Sequence, residues 1–214
     1  MDIIKPYKVP LCIAKTEFIE KKSRFLSHIS PASTEKEALA FLDEIRNKHR
    51  DANHNVFAYH IKDGGFCRYS DDGEPSGTAG KPLVEVFNKQ QVFDYCCVAT
   101  RYFGGIPLGA GGLTRAYARC GVITLDASGI GIICEMSLCA FRLPYSMYEQ
   151  VKRLLVLFNI EDIYEDFGVD VEIRFSLLSE KISALRVELS ELTQGIVNLN
   201  VEGKKLGKRN YDRE

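Results

Sequence analysis

The chain has 214 residues, a formal net charge of −1 and a hydrophobic fraction of 45%. This length is enough for one large domain or two small ones, and the near-neutral charge means that contact with a polyanion requires a local basic patch. No apolar run approaches the roughly 20 residues of a membrane helix, residues 1–18 lack the apolar core of a signal peptide, and no pair of the seven cysteines has CxxC spacing. We therefore expect a cytoplasmic protein with reduced thiols and no membrane association.

The first part of the chain predicts strands and helices in alternation. Thr34 and Glu37 have the spacing of a capping box before an amphipathic helix. The segment 95–102 is almost wholly apolar, which is typical of a central strand buried on both faces. Strands are predicted at 12–20, 24–30, 54–61, 66–70, 95–102 and 130–135, and helices at about 35–48, 82–88 and 113–126.

The remaining residues predict the order βαββαβ, which is that of a ferredoxin-like domain. Its strands are expected at 138–143, 160–166, 169–175 and 195–201, and its helices at 145–158 and 180–192. We therefore predict an α+β protein with an N-terminal domain at 1–136, a ferredoxin-like C-terminal domain at 137–204 and a basic tail at 205–214. The end of the chain is rich in basic residues, and we interpret it as a solubilising terminus. These residues are Lys204, Lys205, Lys208, Arg209 and Arg213.

A glycine-rich segment at 101–117 is the strongest candidate for function. Glycines let the backbone approach a ligand and expose its N–H groups, and the amino end of the following helix attracts anions. Nearby basic side chains would add to that attraction. The alternative is that the glycines only permit close packing of strand and helix. The predicted phosphate-binding or nucleic-acid-binding residues are Lys81, Arg101, Gly104, Gly105, Gly109, Gly111, Gly112, Thr114, Arg115 and Arg119.

An acidic loop at 69–80 is the second feature. Asp71, Asp72 and Glu74 are ligand types that Mg²⁺ accepts, but aspartates in such loops more often hydrogen-bond their own backbone. We favour the capping role and predict no metal site and no cofactor. Ser76 has no general base near it in the sequence, so a hydrolytic triad is not supported, and we expect Cys96 and Cys97 to pack in the core.

Two long strings, DDGEPSGTAGKP at 71–82 and ATRYFGGIPLGAGGLTRAY at 99–117, resemble the signature of the IMPACT/YigZ family. The stretches KSRF at 22–25 and DANHN at 51–55 are similar to that family as well. The resemblance implies a prokaryotic YigZ-like protein. Its N-terminal domain would share the βαβ fold, with a left-handed crossover, of a ribosomal protein, domain IV of elongation factor G and GHMP kinases, and its C-terminal domain would resemble domain V of elongation factor G.

The resemblance implies a role in translation, because eukaryotic members regulate translation by binding a partner of a stress kinase. We predict a non-catalytic binding protein that contacts RNA, the ribosome or a translation factor through the glycine-rich loop; the oligomeric state is not predicted. The alternatives are a protein-interaction module without an anion site and a nucleotide or phosphometabolite enzyme resembling GHMP kinases. Further surface contacts are predicted at Arg24, His54, Tyr69, Asp71, Asp72, Glu74, Ser76, Tyr102 and Phe103, the aromatic ones as stacking faces for unpaired bases.

Overall fold

The computed structural model describes residues 5–210, which form two compact units. The first is centred on Tyr7–Ile132 and the second on Ile133–Lys208. Each unit combines a sheet with helices, so the predicted α+β class is confirmed. The division falls between Ile132 and Ile133, four residues before the boundary expected after residue 136.

The first unit is built on a five-stranded sheet with the order β2–β3–β6–β4–β5, in which neighbouring strands are antiparallel. In a short additional strand, β1, the Lys8 carbonyl accepts a hydrogen bond from the Phe93 amide at 2.8 Å, and Lys8 forms a parallel bridge with Val92. The elements are β1 Tyr7–Pro10, β2 Ala14–Glu20, β3 Ser23–Pro31, α1 Glu35–Lys48, β4 His54–Ile61, β5 Phe66–Ser70, α2 Gly80–Gln90, β6 Tyr95–Tyr102 and α3 Ala110–Ser128.

Helices cover both faces of this sheet, and β6 is buried between them as its apolar sequence predicts. On one face α1 packs Leu42 and Ile45 against Val98. On the other face α2 and α3 pack Leu83 and Tyr117 against the remaining apolar side chains of the sheet. The hydrophobic effect thus places β6 at the centre of the unit.

The amino end of α1 is capped as the sequence predicts, with one difference. The Thr34 hydroxyl accepts a hydrogen bond from the Glu37 amide at 3.2 Å. The Glu37 carboxylate also accepts hydrogen bonds from the amide and hydroxyl of Ser33, at 2.8 and 3.0 Å. The cap therefore extends one residue further back than a standard capping box.

The second unit has the predicted ferredoxin-like topology, because β10 and β9 both pair with β7, and β8 lies beyond β9. Strand β9 runs antiparallel to both β7 and β8, and the apolar faces of α4 and α5 pack on the sheet. The elements are β7 Ile130–Leu143, α4 Tyr145–Leu157, β8 Glu161–Phe167, β9 Val171–Leu178, α5 Ile182–Leu192 and β10 Asn200–Asn210.

Three predictions of elements are wrong. The segments 130–135 and 138–143 are one continuous strand, β7. The last strand begins at Asn200, not at 195, so residues 205–210 of the predicted tail belong to β10; residues 211–214, with Arg213, lie outside the described part. Helix α3 begins at Ala110, three residues earlier than predicted. Among residues 5–210, no helix combines the length and apolarity that crossing a bilayer requires.

Candidate anion-binding site

The amino end of α3 is open. The Leu113 amide donates to the Gly109 carbonyl at 3.0 Å, so the amides of Ala110, Gly111 and Gly112 precede the first hydrogen bond of the helix. Gly109 has φ 73°, a conformation that favours glycine, and within the described chain no side chain caps this helix. Three N–H groups and the positive end of the helix dipole therefore face outward here.

A groove of about 240 Å³ lies beside this helix end. It carries three basic side chains and one carboxylate, so its charge is positive although the chain as a whole is close to neutral. The lining residues are Phe18, Glu20, Lys21, Leu108, Gly112, Arg115, Ala116 and Arg119. We call this set the α3 groove.

The arginines of the α3 groove are exposed and held towards it. The guanidinium carbon of Arg119 lies 4.3 Å from the centre of the Phe18 ring, a cation–π contact. Arg115 folds back along the first turn, because a methyl group added at Gly111 would lie 3.6 Å from its Nη1. No carboxylate in the described part of the chain forms an ion pair with either arginine. Phe18 and Lys21 were not predicted, since they lie about a hundred residues earlier in the sequence.

Arg101 does not belong to this surface. Its side chain is 6% exposed, and its Nη1 donates to Glu74 Oε1 at 2.7 Å in a buried ion pair. Its Nη2 donates to the Ser23 hydroxyl at 3.3 Å, and its Nε has no hydrogen-bond partner among the described residues. The structure thus places Arg101 inside the protein, where it neutralises a carboxylate, and the phosphate-binding role that we expected has no support in this geometry.

Glu74 connects several segments of the first unit. Besides Arg101, its Oε1 accepts a hydrogen bond from the Tyr117 hydroxyl at 2.8 Å and lies 3.9 Å from His54 Nε2. Burial and the adjacent Glu74 carboxylate raise the pKa of Tyr117 far above its ordinary value. This buried cluster joins the acidic loop to β4, β6 and α3, and neither Ser23 nor Tyr117 was expected in it.

Stacked rings link the buried cluster to the α3 groove. Phe18 and Phe25 are nearly parallel, with ring centres 5.1 Å apart. The Arg101 guanidinium lies 5.6 Å from the Phe25 ring centre and 5.3 Å from that of Phe103. Arg119 lies over the Phe18 ring, so cationic and aromatic groups are in contact from the groove to the buried ion pair.

The aspartates of the acidic loop hydrogen-bond to the backbone. Asp71 accepts from the amides of Gly77, Ala79 and Gly80 at 2.8 to 3.0 Å. Burial alone would raise the pKa of Asp71, but these three bonds outweigh it and the pKa is lowered. Asp72 Oδ2 accepts from the Asn55 amide at 2.6 Å. Among residues 5–210, no group of three or more metal-binding side chains is assembled.

The glycines of the motif have two different roles. A Cβ at Gly104 would lie 2.0 Å from the backbone carbonyl carbon of Lys22. The Gly104 amide donates to the Ser23 hydroxyl at 3.3 Å, so this glycine permits close packing of the two segments. Gly105 and Gly109 have open space around them. The packing alternative therefore explains Gly104 and also Gly112, where a Cβ would lie 2.9 Å from that of Leu108, while Gly105 and Gly109 leave the backbone accessible.

The other predicted contacts are dispersed. Arg24 forms an exposed pair with Glu17 at 2.6 Å, and the Thr114 hydroxyl bonds to the Ala110 carbonyl at 3.0 Å. Tyr102 bonds to Asp51 at 3.1 Å. Lys81 and Ser76 are exposed near α2, while Phe103 and Tyr69 are 47% and 49% exposed.

Comparison with known proteins gives matches over both units. The Impact N-terminal domain model matches residues 21–125, and that of a domain of unknown function, DUF1949, matches 141–195. The IMPACT family member YvyE of Bacillus subtilis is 37% identical over 84% of this chain and 83% of its own length. The IMPACT family member YigZ of Escherichia coli is 30% identical over 84% and 89%. A crystal structure of a hypothetical protein covers 99% of this chain and 100% of its own, at 26% identity and a TM-score of 0.59.

Proposed function

The chain belongs to the IMPACT family, and on this premise we propose that it is a non-catalytic binding protein of the translation machinery that holds RNA phosphates in the α3 groove. The observation that carries the proposal is the pairing of an uncapped helix end with Lys21, Arg115 and Arg119 in one groove. Backbone amides and guanidinium groups are the usual donors to phosphate oxygens.

The proposed contacts position RNA but do not read its sequence. Phosphate contacts fix the register of a nucleic acid without distinguishing bases. The exposed rings of Phe103 and Tyr69 are available for stacking on unpaired bases, which is tolerant of sequence as well. We therefore propose that single-stranded RNA or an RNA loop binds here, with affinity that depends on salt.

Filter binding with a single-stranded RNA oligonucleotide over a range of salt concentrations tests this proposal. The wild-type affinity is expected to fall as salt rises, and the double variant Arg115→Gln/Arg119→Gln is expected to bind more weakly. For single strands, each lost phosphate contact lowers the slope of log K against log salt by about 0.7. Absence of RNA binding even at low salt would contradict the proposal.

The matched control is Arg50→Gln/Arg153→Gln, which removes two exposed arginines that do not line the α3 groove. Because it changes the net charge equally, it separates a local site from a general attraction between RNA and the protein. Equal losses in both double variants would contradict a specific groove. Thermal unfolding of both variants checks that they remain folded.

The kinase-like alternative has a separate test. Asp71 and Asp72 accept backbone hydrogen bonds, and this favours their capping role over magnesium binding. An ATP–Mg²⁺ complex bound to a preformed site would raise the melting temperature by mass action. We expect no such shift. If ATP–Mg²⁺ raises the melting temperature of the wild type but not that of Arg115→Gln, the α3 groove binds a nucleotide and the alternative is favoured.

A further inference from the structure

Strand β8 lies at the edge of the second sheet. It follows β7 and β9 in the sheet and pairs with β9 on one side, and among residues 5–210 no strand lies on its other side. An edge of this kind presents unpaired N–H and C=O groups, which an added strand can use.

The hairpin formed by β8 and β9 is strongly acidic. Three of its carboxylates already have cationic partners: Asp162 pairs with Lys205, Glu165 with Lys152 and Glu172 with Arg142 and Arg174. In the described chain no cation pairs with Asp166 or Asp170. Residues 160–173 contain no lysine or arginine and six acidic residues, namely Glu161, Asp162, Glu165, Asp166, Asp170 and Glu172.

The same edge exposes large apolar side chains. Tyr164 is 62% exposed and Val169 97%. Phe167, which is 54% exposed, lies with its ring centre 5.5 Å from that of Tyr148 and 6.4 Å from that of Tyr145. Phe167 and Tyr145, which is 52% exposed, form the aromatic part of this surface on one face of β8, and apolar patches rimmed by charge are typical of protein-binding sites.

The two faces of β8 differ in character. Glu165 accepts a hydrogen bond from Tyr148 of α4 at 3.0 Å, and Phe167 contacts the same tyrosine, so these two residues face the helices. Since side chains alternate along a strand, Tyr164 and Asp166 lie on the opposite face. A strand added beside β8 would meet aromatic surface on the helix face and the unpaired Asp166 carboxylate on the other.

We propose that the edge of β8 binds an extended protein segment, in which apolar residues alternate with lysine or arginine, by adding it to the sheet as a new edge strand beside β8. Charge selects this occupant. The carboxylates repel nucleic acid and also repel the β8 edge of a second copy, whereas a basic segment gains both backbone hydrogen bonds and ion pairs. This surface is separate from the α3 groove and does not depend on RNA binding.

Isothermal titration of the full chain with an eight-residue peptide of alternating lysine and valine tests the proposal. We expect binding that weakens with salt, and slower hydrogen exchange of the amides of 163–167 in the complex. The same peptide with N-methyl groups on all its backbone nitrogens keeps its charge but has no backbone N–H to donate to β8, so it is expected to bind roughly tenfold more weakly or not at all. An alternating glutamate and valine peptide is expected not to bind.

The variant Asp166→Lys/Asp170→Lys is expected to bind the lysine–valine peptide roughly tenfold more weakly than the wild type. The control Glu188→Lys, which reverses an exposed charge on α5, is expected to keep the wild-type affinity. Absence of binding at about 1 mM peptide, or equal binding of the N-methylated peptide, overturns the proposal. The proposal is also overturned if sedimentation shows that the wild-type chain dimerises and that Asp166→Lys/Asp170→Lys does not. The occupant of the β8 edge would then be a second copy of the chain.

Discussion

Replacing Glu74 by glutamine tests the buried cluster that organises the first unit. The change keeps the size of the side chain but removes the charge that balances Arg101. The Glu74 side chain is 3% exposed and the Arg101 side chain 6%, with 2.7 Å between the paired atoms. The variant therefore leaves a guanidinium cation in the protein interior without its counter-ion.

The expected loss of unfolding free energy is about 3–5 kcal/mol, the cost of breaking a buried ion pair by removing one partner. Since 1 kcal/mol corresponds to about 2–8 °C for domains of this size, the unit should melt about 10 °C or more below the wild type. Urea unfolding followed by circular dichroism measures the loss. A decrease below about 1 kcal/mol would refute the reasoning, because water would then be solvating Arg101.

Two further variants separate charge burial from other effects. The double variant Glu74→Leu/Arg101→Met removes both charges and should lose less stability than Glu74→Gln, since no unpaired ion remains. Glu17→Gln breaks an ion pair with Arg24 of similar length, 2.6 Å, between side chains 40% and 50% exposed. Because solvent already screens that pair, its loss should leave the melting temperature close to the wild-type value.

Two other predictions concern packing and pH. Gly104→Ala should lower stability by about 1–3 kcal/mol or more, because its methyl group would overlap the backbone of Lys22; Gly168→Ala, whose methyl group would meet only the Asp170 carbonyl at 3.8 Å, serves as the control in thermal unfolding. Burial, with some repulsion from neighbouring cations, lowers the pKa of His28 to about 4. As the pH falls, the unfolded chain takes up the proton first, because its histidine pKa is near 6.5. The contribution of His28 to the unfolding free energy is therefore constant above pH 6.5 and is lost as the pH falls towards 4. The loss is at most about 1.4 kcal/mol per pH unit. His28→Leu should reduce this slope in urea unfolding at pH 7 and pH 5, and identical slopes would contradict the assignment.

Local patterns predicted the elements of the first unit well. The bounds of β4, β5 and β6 agree with the alternation and apolarity of their residues, and Thr34 caps α1 as its position suggests. The strand at Tyr7–Pro10 was missed, because four residues ending in proline carry little periodicity.

The errors arise where long-range contacts decide the structure. The basic residues after 203 resemble a frayed terminus, but Lys204 pairs with Glu135 at 2.7 Å and lies in an edge strand. Arg101 is followed by glycines, which suggested a ligand site, but its partner Glu74 comes 27 residues earlier. Sequence spacing does not reveal such pairs, and so the candidate site was predicted in part: Gly112, Arg115 and Arg119 lie together in the α3 groove, and Arg101 lies elsewhere.

Helices α2 and α3 both start at a glycine-rich turn, but the chain treats the two ends differently. At α2 the Asp71 carboxylate accepts hydrogen bonds from the amides of Ala79 and Gly80, so an anion from solution would have to displace a side chain of the protein to reach them. At α3 no side chain among residues 5–210 caps the amides of Ala110 and Gly111. The same backbone chemistry therefore meets a carboxylate of the chain at α2 and no capping side chain of the described residues at α3, so α2 is a built-in reference for the anion site proposed at α3.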